Sequence, residues 1–161
     1  MRETKEEYLA VYALGLRLLG NREHSEVELL NKLKKKASTA VSQKVISELV
    51  SGGYCSNERF SDACCRSRVR RGFGPRYIAR ELRSKGVDRA LIEKALNRFS
   101  DKWPCILREG IENKLSKLGY SRWERCVAER LEDPIVRGKI VSSLERKGFD
   151  IAQILRALEN F

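Results

Sequence analysis

A chain that carries copies of one segment must fold each copy in much the same way, and this chain does carry copies. Displaced by 62 residues, Leu82–Phe99 falls on Leu144–Phe161, and 9 of the 18 aligned positions are identical. Leu82, Lys85, Gly86, Asp88, Ala90, Ile92, Ala95, Leu96 and Phe99 match Leu144, Lys147, Gly148, Asp150, Ala152, Ile154, Ala157, Leu158 and Phe161. A displacement of 49 reveals a weaker third copy, in which Leu29 and Leu33 fall on Ile78 and Leu82. Self-similarity of this kind signals an array of small supersecondary units. What the copies share should build the scaffold, and what they do not share should carry the function.

The apolar spacing is helical throughout, and β-branched runs of period two are absent. The expected fold is all-α: an elongated tandem array of three three-helix modules, residues 1–53, 54–100 and 101–161. In the first module, Leu9, Tyr12, Ala13, Leu16 and Leu19 form a stripe on a helix that Gly20 ends. Ser25 and Glu28 form a capping box at the second helix, with Leu29, Leu30 and Leu33 inward. A third helix over 40–50 buries Val41, Val45, Ile46 and Leu49, and Gly52-Gly53 stops it.

In the second module Asn57 is the expected N-cap of a helix whose face is Phe60, Ala63, Cys64 and Ser67. Gly72-Phe73-Gly74-Pro75 is a turn whose proline suits the first position of the next helix, with Ile78 and Leu82 inward. Gly86 ends that helix and Asp88 caps the one after it. The third module has a helix from Trp103 to about Leu118, a possible one over 121–131, one starting at Asp133-Pro134 and one capped by Asp150. Each unit alone buries little surface, so neighbours should pack.

Net charge is +11, and it is concentrated. Residues 58–99 hold 12 basic and 5 acidic side chains, a net of +7, against +2 on either side. Such a block suits a polyanionic or acidic partner. Arg76, Arg80 and Arg83 lie at i, i+4 and i+7, on a face opposite Ile78 and Leu82. Their counterparts in the last module are Gly138, Ser142 and Glu145, so the scaffold does not require these charges. Arg66, Arg68, Arg70 and Arg71 on the preceding helix, and Lys85, extend the set. Arginine suits bidentate contact with carboxylate or phosphate. The plain alternative is a solvated face that aids solubility. A second basic set is Lys32, Lys35 and Lys36, with Lys34, where lysines also complement a helix C-terminus.

No catalytic constellation and no cofactor site is legible. His24 precedes a capping residue and reads as a surface or capping-region side chain. The five cysteines show no Cys-x-x-Cys spacing and read as buried reduced thiols. A bond between adjacent Cys64 and Cys65 would be strained. Arg71-Gly72-Phe73-Gly74-Pro75 lacks the Lys-Ser/Thr ending of a phosphate loop. Trp103 and Trp123 have helical, apolar surroundings and read as packing residues. No apolar run reaches the length of a membrane span, and Met1–Glu7, with three glutamates, fits no targeting peptide, so the expected location is cytoplasmic.

These residues resemble the RecX family of bacterial regulatory proteins. The resemblance rests on four segments in order. They are Leu18–Leu33, with Arg22-Glu23-His24-Ser25 at its centre; Gly53-Tyr54 followed by Arg59-Phe60 and Arg66-Ser67-Arg68; Arg71-Gly72-Phe73-Gly74-Pro75 with Ile78 and Glu81–Val87; and Arg146-Lys147-Gly148-Phe149 with Ile154 and Ala157-Leu158. The resemblance covers nearly the whole chain, and Cys105–Leu131 is less like the family.

The resemblance implies a monomeric, non-enzymatic modulator of RecA, the recombinase that polymerises on single-stranded DNA. Members mostly inhibit RecA. They are thought to lie in the groove of the RecA–DNA filament and to suppress its extension, ATP hydrolysis, strand exchange and LexA cleavage. The basic residues would then meet the RecA filament or, weakly and without sequence preference, single- and double-stranded DNA. The competing expectation is a sequence-nonspecific DNA-binding protein built of helix-turn-helix-like modules.

Overall fold

The computed structural model describes residues 5–120 and 131–161. Among them every regular element is helical: α1 (Lys5–Asn21), α2 (Glu26–Leu33), α3 (Thr39–Ser51), α4 (Asn57–Arg70), α5 (Pro75–Ser84), α6 (Arg89–Asn97), a 3-10 turn (Ser100–Lys102), α7 (Trp103–Lys117), α8 (Pro134–Arg146) and α9 (Ile151–Glu159). The possible helix over 121–131 lies, except for Leu131, outside the described residues. The chain forms two compact units. Unit one comprises Met1–Cys64 with Leu82–Ala95, and unit two Cys65–Glu81 with Leu96–Phe161, so the division passes through α4, α5 and α6.

The core of unit one gathers Leu29, Leu33, Val41, Val45 and Leu49, all removed from solvent, between α1, α2 and α3. α1 presents Val11 and Gly15 to this core, with Tyr8, Tyr12, Leu14, Leu18 and Leu19 partly buried beside them. The expected stripe is therefore rotated: Leu9, Ala13 and Leu16 are exposed. Gly15 explains the rotation. A Cβ there would lie 2.7 Å from Leu49 Cδ1, so only the bare backbone lets α3 come this close. Gly20 does not end α1, which continues to Asn21.

The cap of α2 is half as expected. Ser25 Oγ accepts the Glu28 N–H at 3.1 Å, but the Glu28 carboxylate is engaged by Arg22 (2.6 Å) and Lys85 (3.8 Å). Asn57 does not cap its own helix. Ser56 Oγ accepts the Arg59 N–H, while Asn57 Oδ1 accepts the Glu26 N–H at 3.0 Å and so caps α2 from a distance. Ser67 faces solvent, and the inward side of α4 is Phe60, Ser61 and Cys65.

Unit two builds its main core from α7, α8 and α9. Ile111, Ile140, Leu144, Phe149 and Ile154 are essentially inaccessible, and Trp103 packs against the cluster. Gly110 plays the part that Gly15 plays in unit one: a Cβ there would lie 2.7 Å from Leu144 Cδ2. Asp133 and Asp150 cap α8 and α9, accepting the N–H of Ile135 and of Ala152 at 2.8 Å. Among the described residues no helix is long and apolar enough to cross a membrane.

Candidate polyanion-binding surfaces

In unit two the local sequence sets the arginines by fixing a turn. Gly72 has φ +72°, a backbone that favours glycine, and it ends the α4 segment. Gly74 N–H then donates to Lys147 O at 2.7 Å, and Arg76 N–H to Gly148 O at 3.0 Å. The turn before α5 is thus bonded, backbone to backbone, to the turn before α9. Both glycines are needed for that approach. A Cβ on Gly74 would lie 2.7 Å from Gly148 O, and one on Gly148 (φ +90°) would lie 2.2 Å from Tyr77 N. Phe73 and Tyr77 stack beside this junction, centroids 4.2 Å apart. Arg71 lies over Phe73 at 5.4 Å and Arg80 over Tyr77 at 5.6 Å.

The structure divides the expected arginines into two kinds. Arg66, Arg70, Arg71, Arg80 and Arg83 are exposed. Arg68 is not an outward charge: it is half-buried and pairs through two nitrogens with Glu81, at 2.6 and 2.5 Å. Arg76 is exposed yet committed, since its guanidinium pairs with Asp150, the residue that caps α9. Position 76 therefore couples surface charge to the unit-two scaffold.

In unit one Lys34, Lys35 and Lys36 follow α2 and are exposed, whereas Lys32 is half-buried. Lys32 Nζ donates to His24 Nε2 at 2.9 Å. His24 is 1% exposed, so it belongs to the capping region but not to the surface. Its Nδ1 lies 2.9 Å from Arg22 O. A carbonyl only accepts and an ammonium only donates, so the ring is neutral with its proton on Nδ1. Burial, with the charges of Arg22 and Lys32, lowers its proton affinity from the ordinary value.

Lys32, Lys35 and Lys85 line one cleft of about 240 Å³ with Asn31, Ser84 and Glu28. Sequence reasoning missed this cleft because Lys85 lies some fifty positions away. Ser25, which the sequence marks only as the cap of α2, also donates its Oγ–H to Lys85 O at 2.7 Å, joining the end of α5 to the start of α2.

The described thiols differ from the expectation at one position. Cys55 and Cys65 are buried and Cys64 is half-buried, but Cys105 is exposed. Its Sγ donates to Glu109 at 3.6 Å, and that carboxylate raises the thiol's pKa, which disfavours the reactive thiolate. Burial pushes the Cys55 thiol up to about 11. Among the described residues no group of His, Cys, Asp and Glu is placed to hold a metal ion.

The helices that carry the exposed arginines lie in a known family segment: residues 56–96 match the family model of the second three-helix domain of RecX. A regulatory protein RecX of Legionella pneumophila (strain Corby) is 43% identical over 104 residues, 64% of this chain and 69% of that one. One from Pseudomonas putida (strain GB-1) is 32% identical over 152 residues, 93% of this chain and 90% of its own. The chain belongs to the RecX family of regulatory proteins. Two solved RecX structures share the fold. The crystal structure of RecX from Lactobacillus salivarius has a TM-score of 0.76 at 19% identity, covering 98% of this chain and all of that one. A second has a TM-score of 0.78 at 16% identity, covering 96% of this chain and 72% of its own. The RecX segment 56–96 contains α4, α5 and nearly all of α6, and hence Arg66, Arg68, Arg70, Arg71, Arg76, Arg80 and Arg83.

Proposed function

We propose that this RecX-family chain is a negative regulator of RecA recombinase, acting in the cytoplasm as a monomer. It binds the groove of the RecA–DNA filament and inhibits filament extension, ATP hydrolysis and strand exchange. The supporting observation is the placement of its uncommitted cations. Arg66, Arg70, Arg80 and Arg83 project from α4 and α5. The helix that would read bases in a helix-turn-helix, α6, has its cations engaged: Arg89 pairs with Glu93 at 2.7 Å and Lys94 with Glu58 at 2.8 Å. That distribution favours contact with phosphate or acidic protein surface over base readout. It weighs against base readout by a helix-turn-helix, and the titration below separates the regulator from the alternative, a sequence-nonspecific DNA-binding protein of helix-turn-helix-like modules.

The test is the single-stranded-DNA-dependent ATPase of RecA with the chain titrated in. Loss of rate well below one molecule per RecA monomer is expected, because blocking growth at few sites suffices. Loss only at amounts that coat the DNA would return the chain to simple DNA binding.

A further inference from the structure

The lysine cleft of unit one is more organised than a patch of surface charge. One wall is Asn31, Lys32 and Lys35, the other Ser84 and Lys85, and its volume is about 240 Å³, room for several waters' worth of ligand at about 30 Å³ each. Lys32 is not a swinging surface lysine. Its ammonium is held by His24 Nε2, and His24 is itself buried and held by Arg22 O. Holding a lysine in place removes much of the side-chain entropy that a bound anion would otherwise have to overcome. The acidic residue in the cleft, Glu28, is paired with Arg22 at 2.6 Å and also lies 3.8 Å from Lys85 Nζ. The carbonyl that closes α5, Lys85 O, is taken up by Ser25 Oγ. With one carboxylate, paired to Arg22, against Lys32, Lys35 and Lys85, the lining of the cleft is net positive.

We infer that this cleft is a phosphate-binding site, in which Lys32, Lys35 and Lys85 receive a single phosphate group and His24 is the positioning residue that holds Lys32. A phosphate in the backbone of a nucleic-acid strand and free inorganic phosphate offer the same chemistry to the site. The inference rests on reading the unit-one lysines as anion contacts within the proposed function, and deepens it by naming the group they bind.

The chain has one histidine, so its ring signals need no assignment. The full chain is titrated with inorganic phosphate and separately with oligothymidylate, and both His24 nitrogens are followed by long-range proton–nitrogen NMR. The site predicts a saturable shift of Nε2 while Nδ1 keeps its proton. The concentration needed should rise about tenfold in Lys32→Gln and in Lys85→Gln, each of which removes a charge-assisted contact. Lys32→Arg, which keeps a donor toward both His24 and the anion, should restore most of the response. If Lys32→Gln fails to fold, Lys85→Gln on the opposite wall decides. Response to oligothymidylate well below the phosphate concentration required assigns the group to a strand, and response to phosphate alone assigns it to the free anion. Silence of Nε2 with both probes, or a response unchanged in Lys85→Gln, overturns the site. Inhibition of the RecA ATPase, read on the same wild-type preparation, separates the two readings. Inhibition with a silent His24 removes the cleft alone, and a responding His24 without inhibition removes the regulator alone.

Discussion

At the scale of single residues, chemically alike arginines have unlike jobs. Arg68 and Glu81 have side chains about one-quarter and one-fifth exposed and are joined by two short bonds, so each neutralises a partner that would otherwise be poorly solvated. Arg68→Ala should lower stability by about 1–2 kcal/mol, read from urea unfolding midpoints. Arg80 has its guanidinium over Tyr77 and solvent beyond, so Arg80→Glu should stay within about 0.5 kcal/mol of wild type. Arg76 falls between them, because reversing it would set a glutamate beside the carboxylate that caps α9. Arg66, Arg70 and Arg80 are therefore the set whose reversal tests function with least damage to the fold.

His24 supplies a pH prediction at the same scale. Burial disfavours its imidazolium, as do the charges of Arg22 and Lys32, against partial compensation from the Arg22 carbonyl and Glu28. Its folded proton affinity is thus lower than the unfolded one, whose pKa is about 6.5. As pH falls below that value the unfolded chain takes up the proton first, so stability falls on acidification. The unfolding midpoint should drop between pH 7 and 5.5 in wild type, and drop less in His24→Gln.

At the scale of elements, most helix ends were legible because they are local, although Gly20 and Asn57 did not act as their surroundings suggested. Gly52-Gly53, Gly86, Pro75, Asp133 and Asp150 act through bonds to neighbours a few residues away, and each was readable from its own surroundings. The face of α1 was not. Tyr8 to Leu14 is apolar at every position, so periodicity offered no choice between stripes. The choice was made by Gly15 and its distant partner Leu49. The same limit hid the pairing of Arg76 with Asp150, 74 residues apart, and of Ser25 with Lys85, 60 apart. Of the candidate site, the basic positions were readable as positions. Which of them are committed to carboxylates depends on tertiary contacts that no local pattern encodes.

The backbone junction in unit two gives the sharpest test at this scale. Gly148→Ala must place a Cβ 2.2 Å from Tyr77 N at a φ of +90°, whereas Gly119→Ala meets only open space at a φ of +87°. The first should cost about 3 kcal/mol or more and the second about 1 kcal/mol, measured by urea denaturation of each variant beside wild type.

At the scale of the whole molecule, the repeated positions are, apart from the Lys85–Lys147 match, those a helical core needs: Leu, Ile, Ala, Phe, a capping Asp and a stopping Gly. Arg76, Arg80 and Arg83 of α5 are added to that scaffold without counterparts in the last copy. Contact with phosphate through such side chains releases condensed ions. Affinity for single-stranded DNA should therefore fall steeply with salt, and the slope should shrink by about 0.7 for each phosphate-contacting arginine removed. Reversal of Arg66, Arg70 and Arg80 together should flatten the slope while leaving the helical circular-dichroism signal unchanged.

The most direct measurement sets that triple variant, Arg66→Glu with Arg70→Glu and Arg80→Glu, beside wild type in the RecA single-stranded-DNA-dependent ATPase. Wild type should suppress the rate at substoichiometric amounts, and the folded variant should leave it close to that of RecA alone. Equal suppression by both proteins, or none by wild type, would contradict the account.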